Sequence, residues 1–124
     1  MKAFVAGAAD YAREHGRTDA IFAFNNPDRE FVRDELYIFA YDTNGTVLAL
    51  PFQQGFIGTN RSGVQDSSGV ACIDGMSRIA AEGGGSICYV YPNPARGYAE
   101  ELKLGYVLPV DETWFVGSGI YAGA

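Results

Sequence analysis

Histidine occurs once in this chain, at His15, and cysteine only twice, at Cys72 and Cys88. A lone imidazole with no second ligand-type group beside it argues against a zinc site or a Cys-His catalytic pair. The two cysteines match no metal or redox spacing; two buried thiols are the simplest expectation, and a single disulfide is the alternative. Basic residues are scarce too: nine Lys and Arg against fifteen Asp and Glu leave a net charge of −6. That balance excludes nucleic acid, whose binding rests on neutralised phosphates, and an anionic membrane surface. It does not exclude a small anion held by one local cation. No apolar run approaches the roughly 18–20 residues of a membrane helix. Met1 and Lys2 lead into an amphipathic segment, not into a signal-peptide block, so the chain is expected to be soluble, with no membrane segment of its own.

Catalytic signatures are missing as well. There is no GxSxG and no glycine-rich phosphate loop opening a helix. The triple glycine at residues 83–85 closes a helical pattern, which is the wrong end for phosphate. The carboxylates are scattered and read as surface or strand-end charges. Neither an enzyme, nor a cofactor, nor a bound metal is expected.

What is present is a core. Of 124 residues, 48% are apolar and 14% aromatic, enough for one domain, residues 1–124, without metal or disulfide support. Phe4, Ala8 and Tyr11, flanked by Val5 and Ala12, fall on one helical face, and Gly16 stops a helix of about residues 2–15. His15 then sits in the last turn, where the helix dipole suits it. A shorter helix opens near Thr18 and Asp19 and ends at Asn25-Asn26-Pro27.

The period then changes to two. "LYIFAY" (residues 36–41) is apolar on both faces, as an interior strand is. "DTNG" makes a hairpin turn, and "TVLALP" returns as far as Pro51. Residues 52–68 show no period, and a loop of that length in a compact domain is usually functional. A helix is expected over residues 69–82, with Cys72, Met76 and Ile79 on its stripe. Strands follow at residues 86–91 and 100–108, joined through "PNPARGY", and again at "TWFVGSGIY". Short connections make the five strands antiparallel. The fold class is therefore α+β: a five-stranded antiparallel sheet with N-terminal helices on one face and a loop-helix cover on the other.

Three features could carry binding. Gly117 and Gly119 share a strand face with Phe115 and Tyr121, so something approaches the sheet closely there, either a packed helix or a ligand. Tyr89 and Tyr91 share the face of a neighbouring strand and would offer apolar walls with hydroxyl donors. Lys103, between Leu102 and Leu104, is either solvated beside Glu101 or a point charge for a carboxylate. Alternation alone does not choose between them.

Taken together, "DELYIFAYDTNGTVLALP", "GGGSICYVYPNP", "LKLGYVLPV" and "TWFVGSGIY" resemble, in order and spacing, the single-module Cache sensor family, type 2. The resemblance covers residues 31–121. It implies a PAS-like sheet with a helix packed on one face, serving as the extracytoplasmic ligand-binding part of chemoreceptors and sensor kinases. It also implies a small organic acid, such as acetate, propionate, pyruvate or lactate, bound between the sheet and its cover. The matching motif positions are Lys103, Tyr91, Tyr89 and Tyr106, with Lys103 meeting the carboxylate. Tyr106 has the opposite parity from Lys103, so aiming both at one pocket requires a bulge near Gly105. Where many relatives carry His-Pro, this chain has Leu50-Pro51. A trimmed domain of a membrane receptor, a free-standing binding protein and a ligand-free interaction module forming a homodimer all fit this resemblance.

Overall fold

Phe4, Val5, Ala8, Ala9 and Ala12 recur at the spacing that stacks side chains on one face of a helix, and they form the buried stripe of α1 (Lys2–His15). The computed structural model describes residues 1–122. Gly16, at φ 87°, ends α1 and opens α2 (Arg17–Phe24). A two-stranded ribbon, β1 (Val32–Arg33) with β2 (Leu36–Tyr37), precedes the main sheet. That sheet is built from β3 (Phe39–Asp42), β4 (Val47–Ala49), β5 (Gly85–Asn93), β6 (Ala99–Asp111) and β7 (Trp114–Tyr121). Its spatial order is β4-β3-β7-β6-β5, every pair antiparallel. The central strand is thus the last in sequence.

Both faces are covered, as apolar strands require. On one side α1 and α2 bury Phe24, Phe31, Ile38, Trp114 and Val116. On the other, α3 (Cys72–Ala81) packs Ile73 and Met76 over Tyr37, Phe39, Tyr41 and Phe115. No helix among the described residues is long and apolar enough to cross a membrane.

The structure departs from expectation in four places. The strand expected at residues 36–41 breaks at Ile38, whose N–H turns aside to the carbonyl of Phe31. α3 begins at Cys72, not residue 69, because Asp66 holds residues 66–70 in a turn. β6 does not stop at Leu108 but runs through Pro109 to Asp111. Proline is tolerated there because β5 ends at Gly85, opposite Val107, and leaves that side of β6 without a strand partner. Arg13 uses the opening, donating to the carbonyls of Pro109 and Val110 at 2.7 and 3.2 Å. Finally, both cysteines are free thiols, but only Cys72 is buried; Cys88 is exposed.

Candidate functional site

β6 inverts the usual hydropathy of a half-buried strand. Leu102 and Leu104 are exposed, while Lys103 between them retains only 1% of its surface. Register explains the inversion. Tyr89 of β5 lies opposite Lys103 on one side and Tyr121 of β7 on the other, so three adjacent strands aim Tyr89, Lys103 and Tyr121 at the face under α3.

The glycines of β7 make the room. A Cβ at Gly119 would stand 2.6 Å from the Lys103 Cε, and one at Gly117 would stand 2.6 Å from the Phe39 ring. What approaches the sheet at these glycines is therefore the lysine's own stem and a phenylalanine, not a helix.

The ammonium ends in a chamber of aromatic rings. Lys103 Nζ lies 4.5 to 5.9 Å from the ring centroids of Tyr37, Tyr121, Phe39, Tyr91 and Tyr89, within the range of cation–π attraction. It donates one hydrogen bond, to Tyr37 Oη at 3.1 Å. Tyr37 Oη is 3.2 Å from Tyr121 Oη, and Tyr121 donates to the carbonyl of Pro92 at 2.8 Å. The direction of the last bond orients the chain: Tyr37 donates to Tyr121, which leaves the Tyr37 oxygen to accept from lysine.

Among the described residues no carboxylate meets this cation. Glu101, two residues along the same strand face, turns instead to Asn93 Nδ2 at 3.1 Å and Arg96 at 3.7 Å. Burial consequently lowers the Lys103 pKa to about 7, because an unpaired charge in a low-dielectric site is disfavoured. Burial acts in the opposite sense on the phenols, holding Tyr37 and Tyr89 neutral and pushing Tyr121 up to about 12. The space left among Leu50, Ile73, Met76 and the tyrosines is about 10 Å³, room for about one water. A larger guest requires the cover to move.

Of the expected residues, Lys103, Tyr89 and Tyr91 converge in the chamber. Tyr106 does not: β6 stays regular at Gly105, so Tyr106 turns to the helix side, where Lys2 Nζ lies 5.4 Å from its ring centroid. Tyr37, Tyr121 and Arg61 belong to the arrangement and were not among the residues expected. The parity of β7 with Gly119 could have indicated Tyr121. Arg61 comes from the loop without period and had no such signal.

Arg61 brings the second cation. Its Nη1 donates to Tyr91 Oη at 3.2 Å, and Tyr91 donates onward to Gln53 Oε1 at 2.7 Å. The guanidinium lies 4.7 Å from the centroid of the exposed Phe56 ring. Phe56, Ile57 and Val64 of this cover are exposed, and a segment with few buried apolar contacts opens at low cost.

Asp66 is the latch. One carboxylate oxygen accepts from Ser68 N, Ser68 Oγ and Val70 N, and the other accepts from Val90 N of the edge strand β5 at 2.7 Å. Burial pushes its carboxyl up, but these hydrogen bonds outweigh it and pull the pKa down to about 2. A depressed carboxyl contributes stability above its unfolded value, near 3.8, that is lost as pH falls through about 2. Asp66→Ala is expected to raise amide hydrogen exchange at Val70 and Val90 at neutral pH; unchanged exchange there would remove the latch from the account.

A family model described as single Cache domain 2 matches residues 8–123. A solved structure of a methyl-accepting chemotaxis protein from Vibrio parahaemolyticus superposes at TM-score 0.86 and 23% identity, over 99% of this chain and 86% of that one. A periplasmic sensor domain of a chemotaxis protein gives TM-score 0.77 at 22% identity, over 98% and 87% of the two chains. A Cache chemosensory domain described for carboxylic acid recognition gives 0.76 at 22%, over 97% and 82%. Curated protein sequences yielded no significant match.

Proposed function

The chain belongs to the single Cache domain 2 family, and we propose that it is a non-catalytic, extracytoplasmic sensor domain that binds a small organic acid at Lys103. One observation carries the ligand class: a fully buried ammonium that, among the described residues, has a tyrosine hydroxyl as its only hydrogen-bond partner and no carboxylate beside it. A buried cation retained without a partner costs stability, and an incoming carboxylate supplies the partner. Tyr37 and Tyr91 add hydroxyls, and Arg61 adds a charge from the cover. Leu50, Ile73 and Met76 leave an apolar lining for a short alkyl tail. The likeness to chemotaxis sensor domains, one of them periplasmic and one described for carboxylic acid recognition, supports the same reading.

The mechanism follows from the closed chamber. The acid enters when the cover is displaced and holds it farther out while bound; without the acid, Arg61 and Gln53 close over Tyr91. The ligand favours the state in which its carboxylate meets Lys103, and the population shifts accordingly. In a membrane receptor the shift would reach the signalling region through the elements at the chain's ends, α1 and β7.

Thermal unfolding against two- to four-carbon acids and their uncharged amides tests this. An acid at about 100 times its dissociation constant is expected to add roughly 2.7 kcal/mol, several degrees for a domain of this size. Equal shifts with acids and amides, or none with either, would count against the proposal.

A second reading has its own observation. Leu102, Leu104 and Ile120, exposed by 52, 42 and 50%, form an apolar strip across β6 and β7 on the helix side of the sheet. A ligand-free dimerisation module would use such a strip. Sedimentation of the unliganded domain separates the two: a stable dimer indifferent to every acid favours the module.

A further inference from the structure

We propose that the site takes up its carboxylate together with one proton, so that the domain responds to the undissociated acid and its affinity is set by external pH. The inference rests on the carboxylate reading above and concerns how that same site is regulated.

Geometry carries it. An ammonium has three protons to donate, whereas Lys103 Nζ finds one acceptor among the described residues, Tyr37 Oη. That acceptor keeps its own proton in a hydrogen bond to Tyr121 Oη, which donates in turn to the Pro92 carbonyl, so it stays a neutral phenol and brings no negative charge to the amine. The remaining space, about 10 Å³, cannot hold a hydrated counter-ion.

Among the described residues, the groups around the amine are all neutral or cationic. Tyr37 comes from β2, Tyr89 and Tyr91 from β5, and Tyr121 from β7. The Cys72 thiol of α3, itself raised by burial, opposes the effect of burial on the lysine without reversing it, and Arg61 donates to the Tyr91 hydroxyl from the cover. Without a bound anion the Tyr37 hydroxyl and the surrounding rings support the charged amine too little to offset its burial, in keeping with its pKa of about 7. A bound carboxylate reverses that balance by direct pairing. Charging the amine and binding the anion are therefore coupled, and the complex carries no net charge beyond that of the closed, empty site.

Calorimetric titration of the whole chain with acetate and propionate, in two buffers of different ionisation enthalpy, reads the coupling. From about pH 7 to about pH 9 these acids are fully ionised, and affinity is expected to fall about tenfold per pH unit. Close to one proton should be taken up per ligand at the alkaline end, and almost none near pH 6. Affinity that stays level across the range, without proton uptake, would overturn the coupling while leaving the carboxylate site standing. Failure of every acid to bind even at about pH 6, where the amine is charged, would overturn the carboxylate reading and the coupling with it. A carbon-13 titration of the Lys103 Cε in the unliganded domain adds a ligand-independent check: a midpoint above about 9, near the ordinary lysine range, would also overturn the coupling.

Discussion

Lys103→Met is expected to raise the melting temperature of the unliganded domain at neutral pH and to abolish its response to carboxylates. The lysine stem already packs over Gly119, and methionine has a similar length with a flexible, apolar end. Exchanging a buried, unpaired ionisable group for a hydrophobe of similar volume stabilises by roughly 1–4 kcal/mol, several degrees here. The gain must depend on pH in a definite sense. The folded-state pKa of Lys103, about 7, lies below its ordinary value of 10.5, so the unfolded chain binds more protons between those two values. Stability of the wild type therefore rises with pH from about 7 toward about 10, and the full penalty of burial is felt only below 7. The advantage of the methionine variant should be largest near pH 6 and shrink toward pH 9, by roughly 1.4 kcal/mol per unit at most. Paired melting curves at the two ends of that window check this. A methionine variant less stable than wild type at pH 6 would make Lys103 a structural residue.

Gly119→Ala should damage both fold and site. Its new Cβ would stand 2.6 Å from the Lys103 Cε and 2.9 Å from the Leu104 carbonyl oxygen. The first contact can yield by moving the lysine; the second belongs to the backbone of β6 and cannot. Overpacking of this kind costs about 1–3 kcal/mol, and displacing the stem moves the ammonium off Tyr37. Carboxylate affinity should fall by more than about tenfold, as a point charge moved from its partner loses most of its hydrogen-bond energy. Combining the substitution with Lys103→Ala removes the Cε clash, so Gly119→Ala should cost less stability in that background than in the wild type. Full additivity, read from chemical denaturation of the four proteins, would show that Gly119 does not make room for the lysine.

The elements written in strong local patterns were legible beforehand. The stripe of Phe4, Ala8 and Ala12 with Gly16 behind it delimits α1, and the Asp42-to-Gly45 turn delimits the β3–β4 hairpin. Pro109 misled because its tolerance depends on where β5 ends, a fact of pairing that no local rule contains. The burial of Lys103 was hidden for a similar reason. Alternation along β6 places two leucines on one face and a lysine on the other, and the ordinary inference buries the leucines. Here the charged face is the buried one, because Tyr89 and Tyr121 flank Lys103 across the sheet and Gly119 makes space for its stem, as Gly117 does for Phe39. Those glycines were readable as a close approach; what approaches became visible only with the register. Tyr106 was drawn from a family motif against its own parity, and parity prevailed because β6 carries no bulge at Gly105.

A crystal structure of the domain grown with propionate tests the central claim most directly. Density for the acid is expected in the aromatic chamber, with a carboxylate oxygen within about 3 Å of Lys103 Nζ and the alkyl end against Leu50 or Met76. The cover from Phe52 to Val70 would sit displaced outward relative to the unliganded domain. A chamber as closed as the present one, with Lys103 still donating to Tyr37 alone and propionate elsewhere or absent, would contradict it.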